Sequence, residues 1–375
     1  MLTVLFVDDE PSILQGTRRA TRQMRQAWDM HFVESGSDAL EFLTDRSADV
    51  VVSDMRMPGM DGAEFLARVK EHLPSAARVI LSGHSEEEAI FRSTRVAHQF
   101  LSKPCDVEQL KDTIELVRRS RERVAPTTVR DLVGQLDELP ALGSVYEELM
   151  AAMTDPNSTN LQLGEIVSQD IALTAEILRL VNSAFFGLAR RVESVGQAIG
   201  FLGANVVRAI VASHSLFGSD QDSAIDLAAV VERSQAVAAL ARRSLVRQGV
   251  SAMDAGEAYM AGVLHEVGVL VLSRLPTHSP DELRAVLSAD DLTNERLAFG
   301  VDRYLVGAYL LGLWGFDADL VDAVTALSEP NATAPEALSD ALKLGRSIAM
   351  RIEGPGPGSI LRSDEEELDR LLVGA

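Results

Sequence analysis

Four short apolar runs within the first 104 residues each end on a polar residue of a particular kind, and this restricts the N-terminal third of the chain more than any other feature. Val4-Leu5-Phe6-Val7 runs into Asp8-Asp9, Val50-Val51-Val52-Ser53 into Asp54, Val79-Ile80-Leu81 into Ser82, and Phe100-Leu101-Ser102 into Lys103-Pro104. Runs this short and this apolar read as buried strands of an α/β sheet. In an open α/β sheet the carboxyl ends of the strands form the rim where ligands and chemistry collect. Such a fold would gather three carboxylates, a hydroxyl and an amine at one place.

That set has a chemical logic. Clustered carboxylates repel one another and call for a hard cation with oxygen ligands, such as Mg2+. With the charge balanced, Asp54 can attack phosphorus as a nucleophile and form an aspartyl phosphate. Ser82 is then suited to bond a phosphoryl oxygen, and Lys103 to supply a point charge.

Residues 1–122 resemble the receiver domain of two-component response regulators, on VDDE at 7–10, DMRMPGMDG at 54–62, LSG at 81–83 and FLSKP at 100–104. The resemblance implies a doubly wound, flavodoxin-like, five-stranded parallel sheet. It implies Asp54 as phosphoacceptor, with Mg2+ held by Asp9, Asp54 and the Arg56 carbonyl and assisted by Asp8. Ser82 and Lys103 would read the phosphoryl group, Phe100 would be the switch aromatic as well as a core residue, and Pro104 would follow a cis peptide. The implied phosphodonor is a sensor histidine kinase.

The chain is long enough for about two or three domains at 375 residues and 46% hydrophobic content. A helical pattern at Val107, Leu110, Ile114 and Val117 closes the first domain, and 123–130 reads as a linker around Ala125-Pro126. The single cysteine, Cys105, excludes an internal disulfide. No signal-like N-terminus and no run of 18 uncharged apolar residues is present, which predicts a cytoplasmic protein away from the membrane. Residues 1–126 hold 17 basic against 21 acidic residues and the remainder 18 against 35, within a net charge of -21. So acidic a second half cannot draw general affinity from phosphate neutralisation, which argues against nucleic acid or an anionic membrane as its main partner.

From 131 onward the periodicity is helical. Leu161–Val181, Val195–Val211, a long stretch from Leu227 to Leu245, a central apolar segment Ala258–Leu272 and Ala337–Ile352 all read as helix, and this half is assigned all-α. It resembles the HDOD domain, a helical relative of HD-type metal phosphohydrolases, over 131–330. The resemblance rests on LPAL at 139–142, SQDIALTAEILRLVNSAFFG at 168–187, VESVGQAIGFLG at 192–203 and AGVLHEVGVLVL at 261–272. Residues 331–375 form an extension with a Gly-Pro-Gly-Pro-Gly break and an acidic end, where Ser363 and Glu366 suggest a capping box before a short amphipathic helix.

An HD hydrolase needs several His and Asp ligands to activate a water. Here the His-Asp pair reads His265-Glu266, the upstream histidine position reads Arg233, and a later histidine pair reads Leu327-Ser328. The other histidines, His31, His72, His84, His98, His214 and His278, have no partner at metal-ligand spacing. The expectation is a response regulator with no metal in its HDOD domain, signalling through protein contact with an unknown downstream protein or through a homodimer. Two alternatives stay open: a metal-dependent phosphohydrolase of the cyclic-dinucleotide type, and a DNA-binding regulator using the helix-Gly-helix pattern at Leu202-Gly203-Ala204-Asn205 with Arg208.

Overall fold

A computed structural model describes residues 1–83, 96–124, 126–136, 158–182, 194–202, 225–251, 255–289, 291–329, 334–351 and 365–373, with 145, 148–149, 151–152, 192 and 207 besides. The chain divides into two compact units, the first built on Met1–Asp137 and the second on most of the remainder.

The first unit is organised by five parallel strands: β1 (Leu2–Val7), β2 (Trp28–Val33), β3 (Val50–Asp54), β4 (Ala77–Ser82) and β5 (Gln99–Ser102). Their spatial order is β2-β1-β3-β4-β5, the flavodoxin-like arrangement. The register pairs Val4 with Val50, Val50 with Ala77 and Val79 with Gln99. The apolar runs are continuous because β1, β3 and β4 are covered on both faces; Val4, Leu5, Val50, Val51, Val79 and Ile80 have no exposed surface. The helices around the sheet are α1 (Pro11–Ala20), α2 (Gly36–Asp45), α3 (Gly62–His72) and α4 (Val107–Arg123), joined by a 3-10 turn at Arg22–Gln26. Side chains of Ser35, Asp61 and Asp106 accept backbone N–H groups at the starts of α2, α3 and α4, satisfying donors that helix geometry leaves open.

Helix α5 (Thr127–Gln135) follows and belongs to the same unit. It is tied down by Arg78, a fully buried residue of β4. Arg78 donates through Nη2 to the Gly134 carbonyl at 2.7 Å, through Nη1 to the Pro74 carbonyl at 3.0 Å, and through Nε to the Val96 carbonyl at 2.5 Å. The nearby His98 is not the surface residue its isolation in sequence suggests. It is 5% exposed, and its Nδ1 accepts the Arg78 backbone N–H at 3.0 Å.

The second unit holds no strand among its described residues. The described helices after α5 are α6 (Asn160–Val167), α7 (Ile171–Val181), α8 (Val195–Leu202), α9 (Leu227–Arg247), α10 (Gly256–Leu264), α11 (Val267–Leu272), α12 (Pro280–Leu287), α13 (Leu292–Phe299), α14 (Arg303–Leu313), α15 (Ala318–Thr325), α16 (Glu336–Arg351) and α17 (Glu365–Val373). Helices α9 and α10 approach so closely that a Cβ on Gly262 would lie 2.3 Å from the Ala238 Cα, so only glycine fits there. Two segments expected as single helices are broken. Leu161–Val181 is interrupted at Ser168–Asp170, where the buried Asp170 accepts the Leu173 N–H at 2.9 Å and restarts the helix. Ala258–Leu272 is interrupted at His265-Glu266, which places Glu266 at the N-cap of α11. The segments around LPAL, Phe185-Phe186-Gly187, 203–206 with Arg208, His84, His214, the Gly-Pro break and Ser363 lie outside the described residues.

Candidate functional site

The loops after β1, β3 and β5 bring the expected polar residues together. One carboxylate oxygen from each of Asp8, Asp9 and Asp54 lies within 4.8 Å of the others. Lys103 Nζ reaches Asp54 Oδ1 at 2.6 Å and Asp8 Oδ2 at 2.8 Å. Asp8 is further fixed by accepting the Glu10 backbone N–H at 3.0 Å. The Lys103 backbone donates to the Ser82 carbonyl at 2.8 Å, which joins the ends of β4 and β5. Ser82 is fully buried and Phe100 is 2% exposed, packed inward from β5, while Arg56 is exposed beside the cluster. The Lys103-Pro104 peptide is cis.

Asp54 is positioned by its backbone as much as by its side chain. Its carbonyl accepts the Ser53 hydroxyl at 2.9 Å, and the Met55 N–H bonds the Leu81 carbonyl at 3.0 Å. Gly62 passes so close that a Cβ there would meet the Asp54 carbonyl oxygen at 2.1 Å. No side chain is tolerated at that point of α3, a constraint the sequence shows only as an unexplained glycine.

The charges are strongly coupled. Burial pushes the Asp54 carboxyl above its ordinary value, with the Asp8 charge adding to the rise and Lys103 opposing it. Burial disfavours the Lys103 ammonium, but its hydrogen bonds to Asp54 and Asp8 outweigh that and hold its pKa above the usual lysine value. Three carboxylates against one ammonium leave an excess of negative charge, and every donor is an oxygen. That set fits a hard divalent cation of the Mg2+ kind.

The positions singled out in the second unit also meet, but as an ionic network. Arg233 Nε lies 3.0 Å from each Glu266 oxygen, and its Nη2 is 2.8 Å from Oε2. Glu266 is 1% exposed, and Arg303, whose Nη1 lies 3.5 Å from Glu266 Oε1, is fully buried. Arg303 in turn donates from Nε to Glu295 Oε1 at 2.5 Å and from its backbone to Oε2 at 2.8 Å. Ser328 donates to Asp302 at 2.6 Å, and Arg296 donates to both of them. Leu327 is half-buried beside Ser328.

Burial by itself would raise the Glu266 carboxyl; the guanidinium of Arg233, with Arg303 behind it, holds it below the usual range. Glu295 moves the other way, pushed up by burial with only Arg303 to oppose it and Asp302 adding repulsion. His265 has no exposed surface. Its Nδ1 donates to the Gly262 carbonyl at 2.6 Å and its ring lies nearly parallel to that of Tyr304, while Nε2 has no hydrogen-bond partner among the described residues. Burial lowers its pKa, so the ring is kept neutral. Sequence reasoning missed Glu295, Arg296, Asp302 and Arg303; the available signal was the Asp302-Arg303 pair opening an otherwise apolar helix.

Among the described residues no helix is long and apolar enough to cross a membrane. The HDOD domain family matches residues 139–330, and the response regulator receiver domain family matches residues 4–115. Among curated proteins, the chain is 33% identical over 126 residues to the hydrogenase transcriptional regulatory protein HoxA of Bradyrhizobium diazoefficiens, covering 32% of this chain and 25% of that protein. It is 32% identical over 155 residues to the DNA-binding transcriptional regulator NtrC of Proteus hauseri, covering 38% of this chain and 31% of that one. The chain thus spans about a quarter to a third of the length of these relatives. Among solved structures, the MmoQ response regulator from Methylococcus capsulatus is 26% identical with a TM-score of 0.48, covering 63% of this chain and 98% of that one.

Proposed function

Since this chain belongs to the HDOD family and carries a response regulator receiver domain ahead of that module, we propose that it is a phosphorelay switch whose output is protein contact rather than catalysis. We assign residues 1–122 to the receiver, 123–130 to a linker, 131–330 to the HDOD domain and 331–375 to an extension. The observation that carries the receiver half is the carboxylate trio at the carboxyl ends of β1 and β3, with Lys103 bridging Asp8 and Asp54.

In this reading Asp54 accepts the phosphoryl group from the imidazole of a sensor histidine kinase. A carboxylate oxygen forms the bond to phosphorus, the P–N bond breaks, and the leaving imidazole takes a proton. Asp8, Asp9, Asp54 and the Arg56 carbonyl would hold Mg2+, which when bound offsets negative charge around the phosphoryl oxygens. Lys103, already placed between two carboxylates, turns its charge to the new phosphate, and Ser82 bonds one of its oxygens. Phosphate at Asp54 then biases the arrangement of Ser82 and Phe100, a population shift between two states of the β4–β5 face. Acetyl phosphate with Mg2+ should label the wild-type chain at one site; labelling that survives Asp54→Ala would overturn the assignment.

The non-catalytic reading of the HDOD domain is supported by Arg233. Its guanidinium takes both oxygens of Glu266, the carboxylate best placed to ligate a metal. A fixed cation repels a second one, and His265 with Glu266 alone falls short of a metal site. Metal-dependent hydrolysis of a phosphodiester, abolished by His265→Ala, would overturn it.

A further inference from the structure

The second unit contains a cleft that the ionic network does not use. Its volume is about 570 Å3, and Leu161, Leu178, Val195, Met260, Val263 and Leu368 line it. The first five come from α6, α7, α8 and α10, and Leu368 is delivered by the C-terminal helix α17. Leu161 is 68% exposed at this cleft although α17 is in place.

Helix α17 is latched by one residue. Arg243 on α9 donates from Nε and Nη2 to the two Asp369 oxygens at 2.8 and 2.7 Å, a bidentate pair, and Arg247 Nη1 donates to the Asp369 carbonyl at 2.7 Å. Arg242, exposed at the cleft, completes three arginines within six positions of the α9 C-terminal end. Arginines in a last turn also complement the helix dipole. The dipole, however, requires neither a two-pronged grip on Asp369 nor a leucine seated next to it. In a chain of net charge -21 the three arginines make a local basic spot beside a mainly apolar cleft whose lining also holds Glu165. The segment that meets it has the sequence EEELDRLLV, acidic and leucine-bearing.

We infer that the cleft is a docking groove for an acidic, leucine-bearing amphipathic helix of a partner protein, and that α17 is the chain's own competitor for that groove. The inference rests on the reading of the HDOD domain as an interaction module and names the chemistry of what it binds. Helix-in-groove recognition uses apolar anchors on one face, and here the anchor is Leu368 and the orienting pair is Asp369 on Arg243. A helix tethered to its own groove acts at a high effective concentration, so an outside helix enters when the latch is weakened or when it fills the volume that α17 leaves open.

The test uses the full chain and a fluorescently labelled synthetic peptide of residues 362–375, followed by anisotropy. The Asp369→Ala chain, whose own helix is unlatched, should bind the peptide at least ~10-fold more tightly than the wild-type chain, as expected when an intramolecular competitor is removed. A Leu368→Glu chain should behave like Asp369→Ala, which guards against a folding defect in either. A peptide carrying Asp369→Ala should bind neither. Equal binding to wild type and variants, no binding to any of them, or undiminished binding of the altered peptide would overturn the inference. So would a wild-type dimer by light scattering that Asp369→Ala dissociates, since the occupant would then be the same helix of a second copy. Labelling of Asp54 by acetyl phosphate is read separately, so failure of the groove and failure of the switch are distinguishable.

Discussion

Replacing Arg233 by alanine tests whether the centre of the HDOD domain is held by fixed charge. The substitution removes the bidentate partner of Glu266, a carboxylate 1% exposed, and leaves it with Arg303 at 3.5 Å, which is itself engaged by Glu295. Removing one member of a buried pair costs about 3–5 kcal/mol because the other charge stays behind in low dielectric. The Arg233 side chain is 21% exposed, so water reaches part of the vacated space, and Arg303 retains some attraction. These two features place the expected loss at about 2–3 kcal/mol, at or just below the low end of that range. With a urea m-value of about 3 kcal/mol/M the midpoint should fall by roughly 0.7–1 M. The assay is urea unfolding of the full chain followed by far-UV circular dichroism, which reports mainly on the more helical second unit. The decisive comparison is the double variant Arg233→Ala/Glu266→Gln. If the loss comes from a stranded carboxylate, removing the charge should recover more than half of it. A single-variant shift below about 0.3 M, or a double variant no more stable than the single one, would refute the reasoning.

Three further outcomes are expected. Lys103→Met leaves the three clustered carboxylates without their ammonium, so added Mg2+ should raise its melting temperature by more than it does for the wild type; an equal increase would count against competition between lysine and metal for the same oxygens. Gly62→Ala places a Cβ against the Asp54 carbonyl, and should cost about 1–3 kcal/mol and slow acetyl phosphate labelling of Asp54; unchanged stability and labelling would show that the close approach is unimportant. His265 is kept neutral by burial, so its folded pKa lies below the ordinary 6.5. Its contribution is therefore full above the unfolded value and is lost as pH falls below it, when the unfolded chain gains a proton that the folded chain refuses. The urea midpoint should decline between about pH 7 and about pH 5.5, and less steeply in His265→Gln; parallel declines would remove His265 as the cause.

What could be read in advance follows from how each feature is encoded. A parallel strand covered on both faces is a continuous apolar run, and its last residue marks the sheet rim, so the gathering of Asp8, Asp9, Asp54 and Lys103 was legible from local patterns at three strand ends. The helical half was legible in class but not in its breaks. An all-round apolar segment such as Ala258–Leu272 carries no phase, and its interruption is set by Glu266 reaching for Arg233, 33 positions away in sequence. Asp170 carries no local mark of a helix break, yet its side chain accepts the Leu173 N–H where the helix restarts. The burial of His98 is not legible locally for a related reason: its partner is the backbone of Arg78 on the neighbouring strand, a contact that only sheet pairing creates. Gly62 and Gly262 are invisible as constraints until the opposing backbone is in place.

The chain of charges from Arg233 through Glu266 and Arg303 to Glu295 has an evolutionary consequence. An imidazole at 233 would leave Glu266 short of a counter-charge before any metal could be recruited, and further ligands at 327 and 328 would first have to displace the Ser328 contacts with Asp302 and Arg296. The first such substitution therefore lowers stability by stranding the Glu266 carboxylate, so an imidazole at 233 could persist only together with a second change that removes or pairs that charge.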